Sequence, residues 1–139
     1  MILDQGTWTP VIWDDTLSDA EAQTYSINVG EWQRLGNRIL ISGNIQPTSV
    51  GTLTVTEQTR IGGLPFVSSS TVDSEGGIIC SYGSSLAVTV EDTVSGIINT
   101  NVSYISLNVW DTTAGPTILL ISEYSAGGLK FHGQYITDD

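Results

Sequence analysis

The chain has 139 residues, 40% of them hydrophobic, which suits one domain with a core of its own. Lys and Arg number 4 against 15 Asp and Glu, a formal charge of −11, so the molecule's field repels nucleic-acid phosphates and anionic headgroups and sets both aside as partners. Charged residues make up 14%, well below the usual share, and Gly, Ser, Thr and Asn fill the difference, the composition of strands broken by turns. In chain order, residues 1–139 are expected to form a single domain opened by a strand over residues 7–13 with Trp8 and Trp13, residues 1–5 being the candidate end of an upstream connector. Leu17-Ser18-Asp19-Ala20-Glu21-Ala22 is the candidate for a single helical turn, set in the largest acidic loop. A strand over residues 25–29 precedes Glu31-Trp32-Gln33-Arg34-Leu35. Gly36-Asn37 then reads as a two-residue hairpin turn, because Gly accepts positive φ.

The strand after that turn alternates, so that Ile39, Ile41, Gly43 and Ile45 share one buried face. The turn places Trp32 opposite Ile41 and Arg34 opposite Ile39, with Arg34 laying its stem on apolar surface or its guanidinium over Trp32. Further strands are expected over residues 52–55, 77–81, 86–90, 96–99, 104–110, 117–123 and 129–136. Turn-rich Asp111-Thr112-Thr113-Ala114-Gly115-Pro116 and Ser125-Ala126-Gly127-Gly128 separate the last of them. Short strands at regular spacing predict an all-β antiparallel sandwich or barrel with Ile39, Ile41, Ile45, Leu64 and Phe66 in its core.

The reactive inventory is thin. The chain has one His and one Cys, and no HExxH, CxxC, GxSxG or phosphate-loop pattern. Cys80 follows Ile78-Ile79 in a strand-like run and reads as an inert core thiol; with no partner for a disulfide it fits assembly in a reducing cytoplasm. Met1-Ile2-Leu3-Asp4-Gln5 has neither the basic segment nor the apolar run of a signal peptide, and no stretch approaches the roughly 20 apolar residues of a membrane span. His132 reads as an exposed strand residue beside Lys130 and Gln134. Paired carboxylates are the one catalytic route the composition allows, since glycoside hydrolysis needs two acids roughly 5–10 Å apart. The candidates are Asp14, Asp15, Asp19, Glu21, Asp73, Glu75, Glu91, Asp92, Asp111 and Glu123, most of them in turns where solvated acids are ordinary. A non-enzymatic chain is therefore expected, with a polysaccharide depolymerase as the alternative. No cofactor is expected. The densest acidic cluster, Asp14, Asp15, Asp19 and Glu21, offers oxygen ligands to Ca²⁺ but lacks EF-hand spacing, and the competing reading is a solvated loop.

Several segments, in order, resemble the terminal globular domain of bacteriophage tail fibres, spikes and receptor-binding proteins. They are Gly6-Thr7-Trp8-Thr9-Pro10, Glu31-Trp32-Gln33-Arg34-Leu35-Gly36-Asn37-Arg38 running into Gly43-Asn44-Ile45, Gly63-Leu64-Pro65-Phe66, and Phe131-His132-Gly133-Gln134-Tyr135-Ile136. The resemblance implies a jelly-roll-like β-sandwich assembled as a homotrimer on a virion appendage, with other virion proteins as neighbours and a host saccharide or lipopolysaccharide as receptor. These motifs are scaffold positions and carry over no receptor contacts. Trimerisation has a second rationale in the open strand edges of a sandwich with few Lys to guard them. A structural virion part, such as a head decoration or fibre cap, and a non-viral carbohydrate-binding module remain the alternatives. Sugar recognition calls for an aromatic face beside planar hydrogen-bonding groups on loops at one end of the sheet. Tyr82, Trp110 and Asp111, at strand ends next to turns, are the candidate receptor residues.

Overall fold

The computed structural model describes residues 3–16, 20–71, 75–89 and 91–139. Strands take 57% and helix 3% of the described residues, which meets the expectation of a nearly all-β chain. In chain order the strands are β1 (Leu3–Trp8), β2 (Val11–Trp13), β3 (Thr24–Leu35), β4 (Arg38–Ser49), β5 (Arg60–Gly62), β6 (Gly76–Ser84), β7 (Thr93–Ile98), β8 (Tyr104–Asp111), β9 (Gly115–Ile118) and β10 (Gly128–Ile136). Among the described residues there is one helical turn, α1, Ile121–Tyr124. All pairings are antiparallel, and one hydrogen-bonded path runs β1-β3-β4-β10-β6-β7-β8-β5-β2, with β9 also on β8.

The ends of that path are neighbours in sequence. Only Thr9 and Pro10 separate β1 from β2. The expected strand over residues 7–13 is therefore broken in two, because Pro10 lacks the N–H that a continuous ladder requires. One kinked segment thus supplies both edges, and the sheet curls into a sandwich-like half-barrel. Side chains from the far wing close the seam. Tyr25 Oη accepts the Ile12 N–H at 2.9 Å and Gln23 Nε2 donates to the Ile12 carbonyl at 2.8 Å, so the middle of the β2 edge is satisfied without a strand beside it.

The hairpin has the register expected, with Trp32 opposite Ile41 and Arg34 opposite Ile39 across the Gly36-Asn37 turn. Ile39, Ile41, Ile45 and Leu64 are buried in the core, whereas Phe66 is half-buried and packs against it. Aromatic rings lie over glycines where strands cross. A Cβ on Gly30 would come 2.3 Å from Trp8, one on Gly43 2.3 Å from Phe131, one on Gly62 2.2 Å from Trp13 and one on Gly6 2.8 Å from Trp32. Each ring fills the space its glycine leaves, the device by which aromatic residues stabilise glycine-containing strands.

The motif segments meet in space. The Trp32 ring stands edge-on to Phe66 at 5.0 Å, Arg34 lies 5.2 Å over Phe66, and Tyr135 Oη donates to the Phe66 carbonyl at 3.1 Å and accepts its N–H at 3.2 Å. The guanidinium of Arg34 thus sits over Phe66, not over Trp32. It also donates to the carbonyls of Gly36 and Asp139.

Three expected strands are replaced. Residues 52–55 turn, because the Thr54 N–H is taken by the Asp14 carboxylate and its carbonyl by Glu57 N. Residues 86–89 run as irregular chain tied to Glu123 through Ala87 N. The stretch 117–123 splits into β9 and α1, where buried Ile121 and Tyr124 follow a helical spacing of three. The expected helical turn lies partly outside the described residues, and Ala20, Glu21 and Ala22 are not helical.

Asp14 is 2% exposed. Burial works to raise its pKa, but hydrogen bonds from the Thr16 hydroxyl and from the Thr54 and Thr16 backbone outweigh it and hold the carboxyl below its ordinary value. A depressed carboxyl stabilises the fold above its unfolded pKa of about 3.9 and loses that contribution as pH falls through the lower folded value. Acid titration of the native protein is therefore expected to lower the unfolding midpoint below about pH 4, and Asp14→Asn to flatten that slope. Equal acid slopes for the two proteins would show that Asp14 is not the group responsible.

Candidate functional site

Several of the candidate acids are engaged within the fold. Asp14 accepts from Thr16 N, Thr16 Oγ1 and Thr54 N, which makes it the clasp between two loops. Asp15 pairs with Arg60 at 3.2 Å, and Glu21 Oε2 accepts from Thr52 Oγ1 at 2.5 Å. Glu123 accepts the Leu120 N–H ahead of α1. Asp19 and Asp73 lie outside the described residues. Among the described residues, no three Asp, Glu, His or Cys side chains gather closely enough to hold a metal ion, and no helix is long and apolar enough to cross a membrane.

Cys80 sits half-buried on β6, where burial pushes its thiol up to about 11. At neutral pH the reactive thiolate is scarce. Labelling by a thiol reagent is expected to be slow in the native protein and fast once it unfolds. Rapid stoichiometric labelling without unfolding would contradict this placement. His132 is exposed on β10, in register with Ser42 on β4 and Ile79 on β6.

The two candidate aromatic residues share a surface. Register partners in an antiparallel pair point to the same face. Tyr82 on β6 pairs with Lys130, whose ammonium lies 5.7 Å from its ring, and the ring is 59% exposed. Trp110 on β8 is 52% exposed, and its Nε1 donates to Ser95 Oγ on β7 at 2.8 Å. One strand, β7, separates β6 from β8, so the two rings stand on the same outer face two strands apart. Both belong to strands on the outer sheet face rather than to loops. Asp111 is held differently. Its carboxylate accepts the N–H groups of Ala114 and Thr113, which lower its pKa, so it staples the β8–β9 turn.

Beside these rings the outer face carries a groove of about 750 Å³, lined by Leu40 on β4, Gln134 and His132 on β10, Gly77 and Ile79 on β6, with Arg38 and Glu75 at one end. Arg38 Nη1 donates to Gln134 Oε1 at 2.9 Å, leaving the Gln134 amide N–H groups as donors. Sequence reading passed over this groove. The signal for it was the doublets Ile78-Ile79 and Ile97-Ile98 and the triplet Ile39-Leu40-Ile41. In a strand of period two, consecutive apolar residues must place one of each pair outside.

A second cluster, also unforeseen, lies on the β2–β5–β8 wing. Arg60 stacks 4.5 Å over Tyr104, which is 6.4 Å from Trp13, and Asp15 closes the fork.

No family model matches the sequence, and no curated protein matches it. Among solved structures, the crystal structure of the Dettilon tailspike protein is similar with a TM-score of 0.75 over 96% of this chain at 18% identity. The matched part is 24% of that tailspike chain. The likeness is one of fold.

Proposed function

We propose that this chain is a globular domain of a bacteriophage tail appendage that attaches the virion to a bacterial surface saccharide, with copies assembled as a homotrimer. The observation that carries this reading is the fold: 96% of the chain superposes on part of a tailspike with a TM-score of 0.75. The ordered motifs support it, since Trp32, Arg34, Phe66 and Tyr135 converge in a scaffold built to keep two sheet wings in place. Saccharide stacks on Tyr82 and Trp110, whose exposed rings stand on one face beside Ser95 and Lys130. Asp111 supports the turn through Oδ1. The chain carries no reaction.

Purified domain is expected to block adsorption of its source phage to host cells. The double variant Tyr82→Ala and Trp110→Ala, with fold and mass intact, is expected to compete severalfold less well. Undiminished competition by the variant would remove the two rings from the receptor site. Failure of the wild-type domain to bind host cells at all would point instead to a structural virion part, and binding to saccharide without any effect on phage to a free-standing carbohydrate-binding module.

A further inference from the structure

The acids are unevenly placed. The chain holds 15 Asp and Glu, yet β10, β6, β7, β8 and β9 together contain a single one, Asp111, at the extreme end of β8. The first four of these strands are contiguous in the sheet, and β9 adjoins β8. Their outer face sets exposed apolar side chains among uncharged polar ones. In one row, Ile79 is followed across the strands by Ser95, Asn108 and Ile118; in the next, Leu40 on β4 is followed by Gln134, Gly77 and Ile97. Ile79 is 66% exposed, and Leu40, Ile97 and Ile118 are exposed with it. Four exposed aliphatic side chains on one water-facing sheet face mark an interaction surface.

We infer that the centre of this face, Ile79, Ile97, Leu40 and Ile118, is the contact between copies of this chain, an assignment that rests on the homotrimer reading above. The charge distribution selects the occupant. Two molecules each carrying −11 repel wherever their carboxylates meet. The contiguous run β4-β10-β6-β7-β8-β5-β2 carries Asp111 alone. Within it and the adjoining β9 the exposed aliphatic side chains are Leu40, Ile79, Ile97 and Ile118, so there two copies approach on apolar groups with almost no carboxylates opposed. Tyr82 and Trp110, toward the end of the face, stay at the boundary between copies, a place where ligand sites commonly form.

The test is the mass in solution by sedimentation equilibrium. The wild-type domain is expected at three times the chain's 14.8 kDa. Ile79→Asp with Ile97→Asp places carboxylates on the acid-free face without touching the core, and is expected to fall to the single-chain mass with an unchanged far-ultraviolet circular dichroism spectrum. Val55→Asp with Thr56→Asp, exposed positions in the turn ahead of β5 and outside this sheet face, is expected to keep the wild-type mass. If the Ile79 and Ile97 pair misfolds, Ile118→Asp on short β9 is read in its place. A folded face variant that keeps the wild-type mass overturns the assignment of the face and leaves the trimer standing. A wild-type domain that is monomeric throughout the micromolar range overturns both.

Discussion

Trp8→Ala is expected to cost the domain about 3–5 kcal/mol, the range for truncating a buried Trp, a large part of the total stability of a typical domain. Three contacts make this residue costly to lose. Its ring lies over Gly30 on β3, where no other side chain fills the space. It meets Phe131 on β10 edge to face at 6.1 Å, and its Nε1 donates to the Ser42 carbonyl on β4 at 3.1 Å. The residue thus joins three strands beyond its own, at the last position before the Pro10 break. Its removal leaves a cavity that glycine cannot collapse into, since Gly30 has no side chain to move. Urea unfolding measures the loss. A midpoint close to that of the wild type would mean that Trp8 does not hold this corner of the sheet.

Gly133→Ala is expected to destabilise by about 3 kcal/mol, the upper end of ordinary overpacking, and to do so by parting two central strands. Gly133 lies on β10 between Ile41 of β4 and Ile78 of β6. A Cβ there would stand 2.0 Å from the Gly77 carbonyl oxygen and 2.8 Å from Ile78 Cα. Those are backbone atoms of the paired strand, which cannot rotate aside, so β6 must shift and the ladder with it. Gly43→Ala is the comparison. Its added methyl would meet the far end of the Phe131 ring, which can tilt, and the expected loss is smaller. Equal stability of Gly133→Ala and wild type in urea would show that β6 and β10 have room the geometry denies.

Much of the local structure was legible because period-two alternation needs only neighbouring residues. The hairpin at Gly36-Asn37, the Trp32–Ile41 register and the burial of Ile39, Ile41 and Ile45 follow from a positive-φ turn and a run of alternating side chains. The inertness of Cys80 was legible for a similar reason, its place after an apolar pair in a strand. Failures occurred where a distant group overrode the local pattern. Residues 52–55 look like a strand, but the carboxylate of Asp14, far away in sequence, captures the Thr54 N–H. Three-residue β5 has too short a pattern to be read at all, and exists because β8 and β2 flank it on both sides. The structural part that Asp111 plays was also hidden, because sequence does not reveal that its Oδ1 accepts two N–H groups of its own turn.

By itself, the sequence determined that this is an antiparallel β domain, which hairpin sets its register, and that its surface is acidic, since each is a property of composition or of adjacent residues. Only the tertiary structure decided the order of strands, the meeting of β1 and β2 as the two ends of one curled sheet, and the gathering of Ile79, Ile97 and Ile118 onto a face almost free of carboxylates. Strand order depends on which long loops close, at an entropic cost that grows slowly with length and so discriminates little between partners. Burial in the finished sheet makes the choice, and it leaves outward whatever apolar residues the core has no room to take.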